Sequence, residues 1–335
     1  MKAVIVHDFA PLKTAKLEQV DDLTPAIGEV IVEMQAIEVN FPDILVMEGN
    51  YQVKPPLPFA PGKAGAGIVA AVGSGVDTLK LGDRVGVQVE YGAYAEQACV
   101  KEGHCFAMPD AMPFDVAAAL GLAYQTAYFA LTDRAAFKPG DTVLVLGASG
   151  GVGSAAVQLA KALGASTVIA ADRGAKGKHA SEICGSDHYI DLDMDNLRDG
   201  LRDAVHEVTN GNGVDIIIDP VGGAASAAAL RAIAWRGRFV VVGFAAGDIP
   251  VFKANYLLVK NIAVSGLQWS DYRQRDAAQV RKAQTDIFRL WSEGKIAPLV
   301  SQRFPLGEFA AALGTIQDGS AWGKIVLIPE KNNDI

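Results

Sequence analysis

The run Gly147-Ala148-Ser149-Gly150-Gly151-Val152-Gly153 is the stretch of this 335-residue chain whose residue types and spacing bear most directly on chemistry. It follows a short apolar run, Thr142 to Leu146, and precedes Val152, Ala156, Leu159, Ala160 and Leu163 at helical spacing. A helix N-terminus has unpaired N–H groups and the positive end of a dipole, so it attracts anions. A Cβ at Gly150 or Gly151 would obstruct a pyrophosphate approaching those donors, and Gly153 lets the helix pack closely on the strand. Ser149, Gly150, Gly151, Val152 and Gly153 are therefore the expected contacts of a dinucleotide. Against the G-x-G-x-x-G pattern, Ala148 replaces the first glycine while Gly150 and Gly153 keep the other two.

A second group of residues bears on which dinucleotide. Asp172 ends the next apolar run, where an acidic side chain accepts from ribose hydroxyls and repels a 2′-phosphate, favouring NAD(H). Arg173, Lys176 and Lys178 follow at once and can pair with that phosphate. The plainer reading of Asp172 is a cap on the following helix.

Other chemistries find little support. Cys99, Cys105 and Cys184 are too few and too scattered for a disulfide framework, and the five histidines make no ligand cluster. The formal charge of −8 comes without a basic run, which argues against a nucleic-acid surface. No apolar run is long enough to span a bilayer and the N-terminus reads as a strand, so a cytoplasmic protein is expected.

The elements that must position these residues fall into two kinds. The first third is β-rich, with runs at 1–7, 29–40, 66–72, 83–90 and 94–100 separated by Gly/Pro turns, as in a partly open barrel. From Thr142 strands and helices alternate: 142–146, 167–171, 188–191, 214–219, 239–243 and 262–267 give the six strands of a doubly wound parallel sheet. Helices are expected at 176–184, 197–208 and 225–234, and a long one at 275–293. The tail reads β/α/β, and Lys324–Ile328 suits the N-terminal barrel. The fold class is thus α/β: a discontinuous barrel domain of residues 1–122 and 297–335, and a nucleotide domain of residues 123–296. The cleft between them is the default active site.

With these landmarks in place, the chain resembles the zinc-free quinone oxidoreductase (zeta-crystallin-like) branch of the medium-chain dehydrogenases/reductases. The resemblance rests on Val39-Asn40-Phe41-Pro42-Asp43, Gly65-Ala66-Gly67-Ile68-Val69, Leu81-Gly82-Asp83-Arg84-Val85, the Gly147–Gly153 turn, Asp219-Pro220-Val221-Gly222-Gly223 and Gly323-Lys324-Ile325-Val326-Leu327. It implies a GroES-like barrel domain beside a Rossmann domain. It also implies an NADP(H) cofactor, against the NAD(H) signal of Asp172. Thr126 matches a position beside the nicotinamide, Gly243, Phe244 and Leu267 would line its edge, and Lys324 matches a basic position near the cofactor phosphates. Where zinc-dependent relatives carry a cysteine this chain has Asn40, and Lys63-Ala64 stands where His-Glu would follow Gly62. No metal site is therefore expected.

On the acceptor side Asn40, Tyr51 and Lys63 are the expected catalytic residues. Asn40 can donate to a carbonyl oxygen, Tyr51 can stack and offer its hydroxyl, and the Lys63 amine can stand in for the metal's charge. Each has a plainer role: Asn40 satisfying backbone at a strand end, Tyr51 a loop aromatic, and Lys63 a solvent-exposed amine, the reading the sequence favours for it. The expected activity is NAD(P)H-dependent hydride transfer to a small-molecule quinone or conjugated enone by a homodimer. Enoyl-thioester reduction, or a cofactor-binding structural or RNA-binding role as such relatives can have, are the alternatives.

Overall fold

Eleven residues, Glu29–Val39, form the longest strand of the computed structural model, which describes residues 1–330. This strand pairs antiparallel with Lys324–Ile328, Ala64–Val72 and Gln97–Lys101. Val300–Pro305, Arg84–Gln88 and Cys105–Ala107 complete a seven-stranded sheet. Val30, Val32, Met34 and Ala36 are buried on one face, and Ile31, Ile37 and Val39 are buried as well. Burial on both faces follows because the helix Phe114–Ala119 packs on Glu29–Val39 and Ala64–Val72 from outside. A small antiparallel pair, Lys2–Ile5 with Lys16–Gln19, joins the same unit through isolated bridges to Ala95 and Phe59. This is the GroES-like unit of an α/β protein. It comprises residues 1–122, 273–288 and 300 onward. Positions 331–335 of the expected barrel domain lie outside the described residues.

The long C-terminal helix, Ala277–Ser292, contributes residues 277–288 to this unit, although the sequence reading assigned them to the nucleotide domain. The reason is packing. Val280, Ala283 and Ile287 are buried, Gln284 Nε2 donates to Leu120 O at 3.2 Å, and Phe288 lies against Gly86.

The second unit comprises residues 123–272 and 289–299. Its six-stranded sheet is parallel throughout and runs, edge to edge, His188–Asp191, Thr167–Asp172, Thr142–Leu146, Val214–Asp219, Ile233–Val241, Ala263–Gly266. That order starts at the middle, winds to one edge and then to the other, which is the doubly wound arrangement. Val143 to Leu146 and Ile216 to Ile218 are fully buried, as central parallel strands covered on both faces require.

One local expectation is corrected, and two short helices stand where the sequence reading had no helix. The alanine-rich helix after Asp219 spans only Gly223–Ala229 and one 3-10 turn, because Ile233 already pairs with Val214 in the sheet. Sheet pairing overrides the helical preference of alanine there. The helix Ala254–Lys260 has no buried residue, so no apolar periodicity marks it. The helix Phe41–Met47 follows directly on the central strand, with Pro42 in its first turn.

Candidate functional site

In the parallel-sheet unit, the C-terminal ends of neighbouring strands bring together the Gly147–Gly153 turn, Asp172, Gly243, Phe244 and Leu267. The turn is held by Gly147 N–H donating to Ala171 O at 2.9 Å and Gly150 N–H to Gly147 O at 3.0 Å. The helix Gly151–Ala162 then begins, and the N–H groups of Gly151, Val152 and Gly153 lie in its first turn, beyond the reach of intrahelical acceptors. A Cβ on Gly153 would sit 2.0 Å from Gly147 O, so close packing demands glycine there. A Cβ on Gly150 would meet only Gly147 O, at 3.4 Å. The fold's own packing tolerates a side chain at Gly150, so the glycine leaves an approach to the helix end open. These features fit a dinucleotide pyrophosphate.

Asp172 has a role the sequence reading did not contain. Its Oδ2 accepts from Ser149 N–H at 2.6 Å and its Oδ1 from Arg173 N–H at 2.8 Å. The carboxylate thus ties the glycine turn to the second strand. It does not cap the helix Gly174–Ile183, whose N-cap is Arg173. Each oxygen keeps lone-pair capacity for a hydroxyl. The Arg173 guanidinium is exposed and lies 3.6 Å from Asp193, and Lys176 is exposed on the helix. Gly243 N–H donates to Asp219 O at 3.3 Å and Leu267 N–H to Val241 O at 3.0 Å, so backbone contacts hold both in place. Phe244 is exposed, and Thr126 is half-buried on the helix Leu122–Phe129.

In the GroES-like unit a set of charged side chains, Glu38, Asp43, Lys63, Arg273 and Lys324, is buried. Lys63 is only 3% exposed, which overturns the solvent-exposed reading. Its Nζ donates to Glu90 Oε2 at 2.9 Å and Glu90 O at 3.1 Å, and sits 4.5 Å over the Tyr51 ring. The other Glu90 oxygen pairs with the buried Arg273, which also donates to Val89 O at 2.8 Å. Burial, with Arg273 adding to it, pulls the Lys63 ammonium down to about 8 despite the opposing charge of Asp43. Gly62, at φ +90, makes this possible: a Cβ there would lie 2.2 Å from the Tyr94 ring.

Asp43 is fully buried. Its Oδ2 accepts from Asn40 N–H at 2.8 Å and from Tyr94 Oη–H at 3.0 Å, closing half of a capping box on the helix Phe41–Met47. Burial pushes its carboxyl up to about 6, with the Lys63 charge opposing the rise. Asn40 Oδ1 accepts from Lys324 Nζ at 2.8 Å, while Asn40 Nδ2 and Asp43 Oδ1 are buried without hydrogen-bond partners. Asn40 is therefore not spent on backbone through its amide N–H. An unsatisfied buried donor costs about 1–3 kcal/mol, so its persistence points to a ligand oxygen. Tyr51 is half-buried, its ring serving as the platform under Lys63.

Lys324 needs correction. The resemblance puts it near cofactor phosphates, but it is 3% exposed and its Nζ reaches Glu38 Oε1 at 2.7 Å, Asn40 Oδ1 at 2.8 Å and Val39 O at 3.3 Å. An ammonium has three donors, and all three are engaged inside the barrel unit. Sequence reasoning missed Glu38, Glu90, Tyr94 and Arg273 as members of the cluster, and noted Asp43 only as part of a motif. Asn40-Phe-Pro-Asp43 carried a usable signal, the N-cap to N3 spacing. Arg273 carried none, since it reaches Glu90 from 183 positions away.

Comparison with known proteins agrees with this architecture. A family model described as an alcohol dehydrogenase GroES-like domain matches residues 26–110, and one described as a zinc-binding dehydrogenase matches residues 151–283. A quinone oxidoreductase-like protein 2 homolog from Nematostella vectensis is 38% identical over 302 residues, covering 90% of this chain and 81% of the relative. A probable oxidoreductase from Mycobacterium abscessus is 35% identical with a TM-score of 0.88, covering 98% of this chain and 99% of its own. The Escherichia coli quinone oxidoreductase complexed with NADPH is 29% identical with a TM-score of 0.88, covering 98% of this chain and 100% of its own. The chain belongs to the quinone oxidoreductase branch of the medium-chain dehydrogenase/reductase superfamily, and is an oxidoreductase of that family.

Proposed function

We propose that the chain reduces the carbonyl system of a quinone or conjugated enone with NADPH or NADH, without zinc. The observation that carries this reading is the unspent amide donor Asn40 Nδ2, buried in the same unit as the Lys63 ammonium, with Asp43 hydrogen-bonded to Asn40 N–H and under the charge of Lys63. A reduced nicotinamide dinucleotide supplies a hydride when bound. The first-turn N–H groups of Gly151, Val152 and Gly153 hold its pyrophosphate, and Asp172 accepts from the adenosine ribose. Asn40 Nδ2 donates to the acceptor oxygen as negative charge collects there, and the Lys63 ammonium stabilises the same charge. The proton that balances the incoming hydride leaves Lys63 Nζ, which is reprotonated from solvent.

The case against zinc rests on donor chemistry. Among the described residues no group of three His, Cys, Asp or Glu side chains is placed to hold a metal ion, and Lys63 as an ammonium has no lone pair to offer a metal. Metal analysis of dialysed protein should find no stoichiometric zinc, and one retained equivalent overturns this part. On cofactor choice, the NADPH complex of the Escherichia coli relative supports NADP(H) and Asp172 supports NAD(H). Steady-state rates with both, across 1,4-benzoquinone, enones and enoyl thioesters, test the whole reading. Tight cofactor binding with no turnover on any of them sinks it.

A second copy of the chain is the proposed partner. The strand Ala263–Gly266 is the edge of its sheet, and Ile249, Val251, Leu258 and Val259 are exposed on the segments leading to it. An unpaired edge beside exposed aliphatic residues suits edge-to-edge pairing in a twofold dimer. Sedimentation should give a dimer that Val251→Lys with Leu258→Lys splits, and a monomer at micromolar concentration removes the proposal. No helix among the described residues is long and apolar enough to cross a membrane.

A further inference from the structure

The resemblance gives Lys324 a cofactor-phosphate role that its donors cannot serve while they are engaged inside the barrel unit, and Glu38 has no role at all. Glu38 is 0% exposed, with Oε1 2.7 Å from Lys324 Nζ and Oε2 accepting from Leu122 N–H at 2.8 Å. The carboxylate is therefore anchored through both oxygens. It holds the ammonium at the point where strands Glu29–Val39 and Lys324–Ile328 pair, Ile325 opposite Val39.

We propose that the Glu38–Lys324 pair is a positioning device for Asn40, which fixes the end of the amide that meets the acceptor. The inference rests on the function proposed above and names a determinant of that same site. A primary amide has two ends of opposite hydrogen-bonding character, and it can flip between them unless something selects one. An ammonium only donates, so at 2.8 Å it selects the amide oxygen and excludes the flipped amide. Nδ2 is left as the free end, buried and without a hydrogen-bond partner. Asn40 thus presents a donor and recognises an oxygen lone pair, as a quinone or enone carbonyl carries.

Four variants separate this role from a purely structural one. Asn40→Asp keeps an oxygen for Lys324 and removes the donor; it should lose turnover as Asn40→Ala does while unfolding at the wild-type temperature. Lys324→Met should lower kcat about tenfold or more, the scale on which misplacement acts, with cofactor Kd unchanged. Adding Lys324→Met to Asn40→Ala should cost nothing further. Losses that multiply in that double variant overturn the positioning role alone, whereas a wild-type rate for Asn40→Asp overturns the function proposed for Asn40. Because Lys324→Met takes the ammonium away from the buried Glu38 carboxylate, Glu38→Met with Lys324→Met serves as the fold-preserving form, replacing a buried ion pair with apolar groups of similar size. Full turnover in that form overturns the proposal. In the wild-type protein, the Asn40 side-chain amide pair, identified by its absence in Asn40→Asp, should exchange slowly with D2O. It should shift when duroquinone is added with oxidised cofactor, and rapid exchange or an unmoved pair overturns the proposal as well.

Discussion

The glycine turn of the parallel-sheet unit and the polar cluster of the GroES-like unit offer hydrogen-bond donors by opposite means. The turn presents backbone N–H groups at a helix end, and its main requirement on side chains is that Gly150 and Gly153 have none. The cluster presents one amide N–H and one ammonium, each held by side chains that arrive from distant parts of the chain. Glu38, Asn40, Asp43, Lys63, Glu90, Tyr94, Arg273 and Lys324 form a set in which nearly every polar atom depends on another. A site made of backbone survives side-chain change and fails on added bulk. A site made of buried charges tolerates bulk poorly and fails whenever one partner goes, since breaking a buried ion pair costs about 3–5 kcal/mol.

That contrast can be broken by experiment. Lys63→Met should give the largest effect, lowering kcat about a hundredfold, as loss of one oxyanion donor does, while fluorescence titration returns an unchanged cofactor Kd. Gly150→Val should do the reverse: a rise in cofactor Kd of about tenfold or more, equivalent to about 1.4 kcal/mol, with kcat at saturation close to wild type. If either variant moves both constants together, the two regions are not separable in the way their construction implies.

The pH dependence sharpens the same contrast. Lys63 must be protonated to act, and burial holds it at about 8, below the ordinary lysine value. Activity should therefore be level below that point and fall about tenfold per pH unit above it. Lys63→Arg should move the limb upward. Stability should respond in the opposite direction. A lysine with a depressed folded pKa binds fewer protons folded than unfolded between about 8 and 10.5, so its contribution rises with pH in that window and is lost on descent through 8. A pH–rate profile flat to pH 10 removes Lys63 as the proton source.

The smallest effect is expected from Asp172→Ser. It should improve NADPH relative to NADH severalfold and, by releasing Ser149 and Arg173 N–H, lower stability by about 1 kcal/mol, a shift of about 2–4 °C or less in Tm. An unchanged cofactor ratio with a lowered Tm would leave Asp172 only its tie between turn and strand.

Much of this was legible in the sequence. All six sheet strands and the glycine turn announce themselves through short apolar runs, and the structure places them in the expected doubly wound order. Ile233 is an instructive exception. Its segment reads as helix because alanine neighbours dominate, and only pairing with Val214 makes it a strand. In the barrel unit, Asn40 and Lys63 could be singled out by type and position, but their states could not. Lys63 looked exposed, as lysine usually is, until Glu90 and Arg273 were seen to enclose it.

What the sequence determined by itself, then, is the order of the elements and the dinucleotide turn, because both depend on residues within a few positions of one another. The tertiary structure alone decided that Lys324 turns inward to Glu38 and Asn40 rather than toward phosphates, and that Asp172 ties the turn rather than capping a helix. It also decided that one end of the Asn40 amide stays free. These outcomes rest on burial and on partners as many as 285 positions apart. A buried charge takes whatever counter-charge the fold delivers to it, and no local pattern records which one that will be.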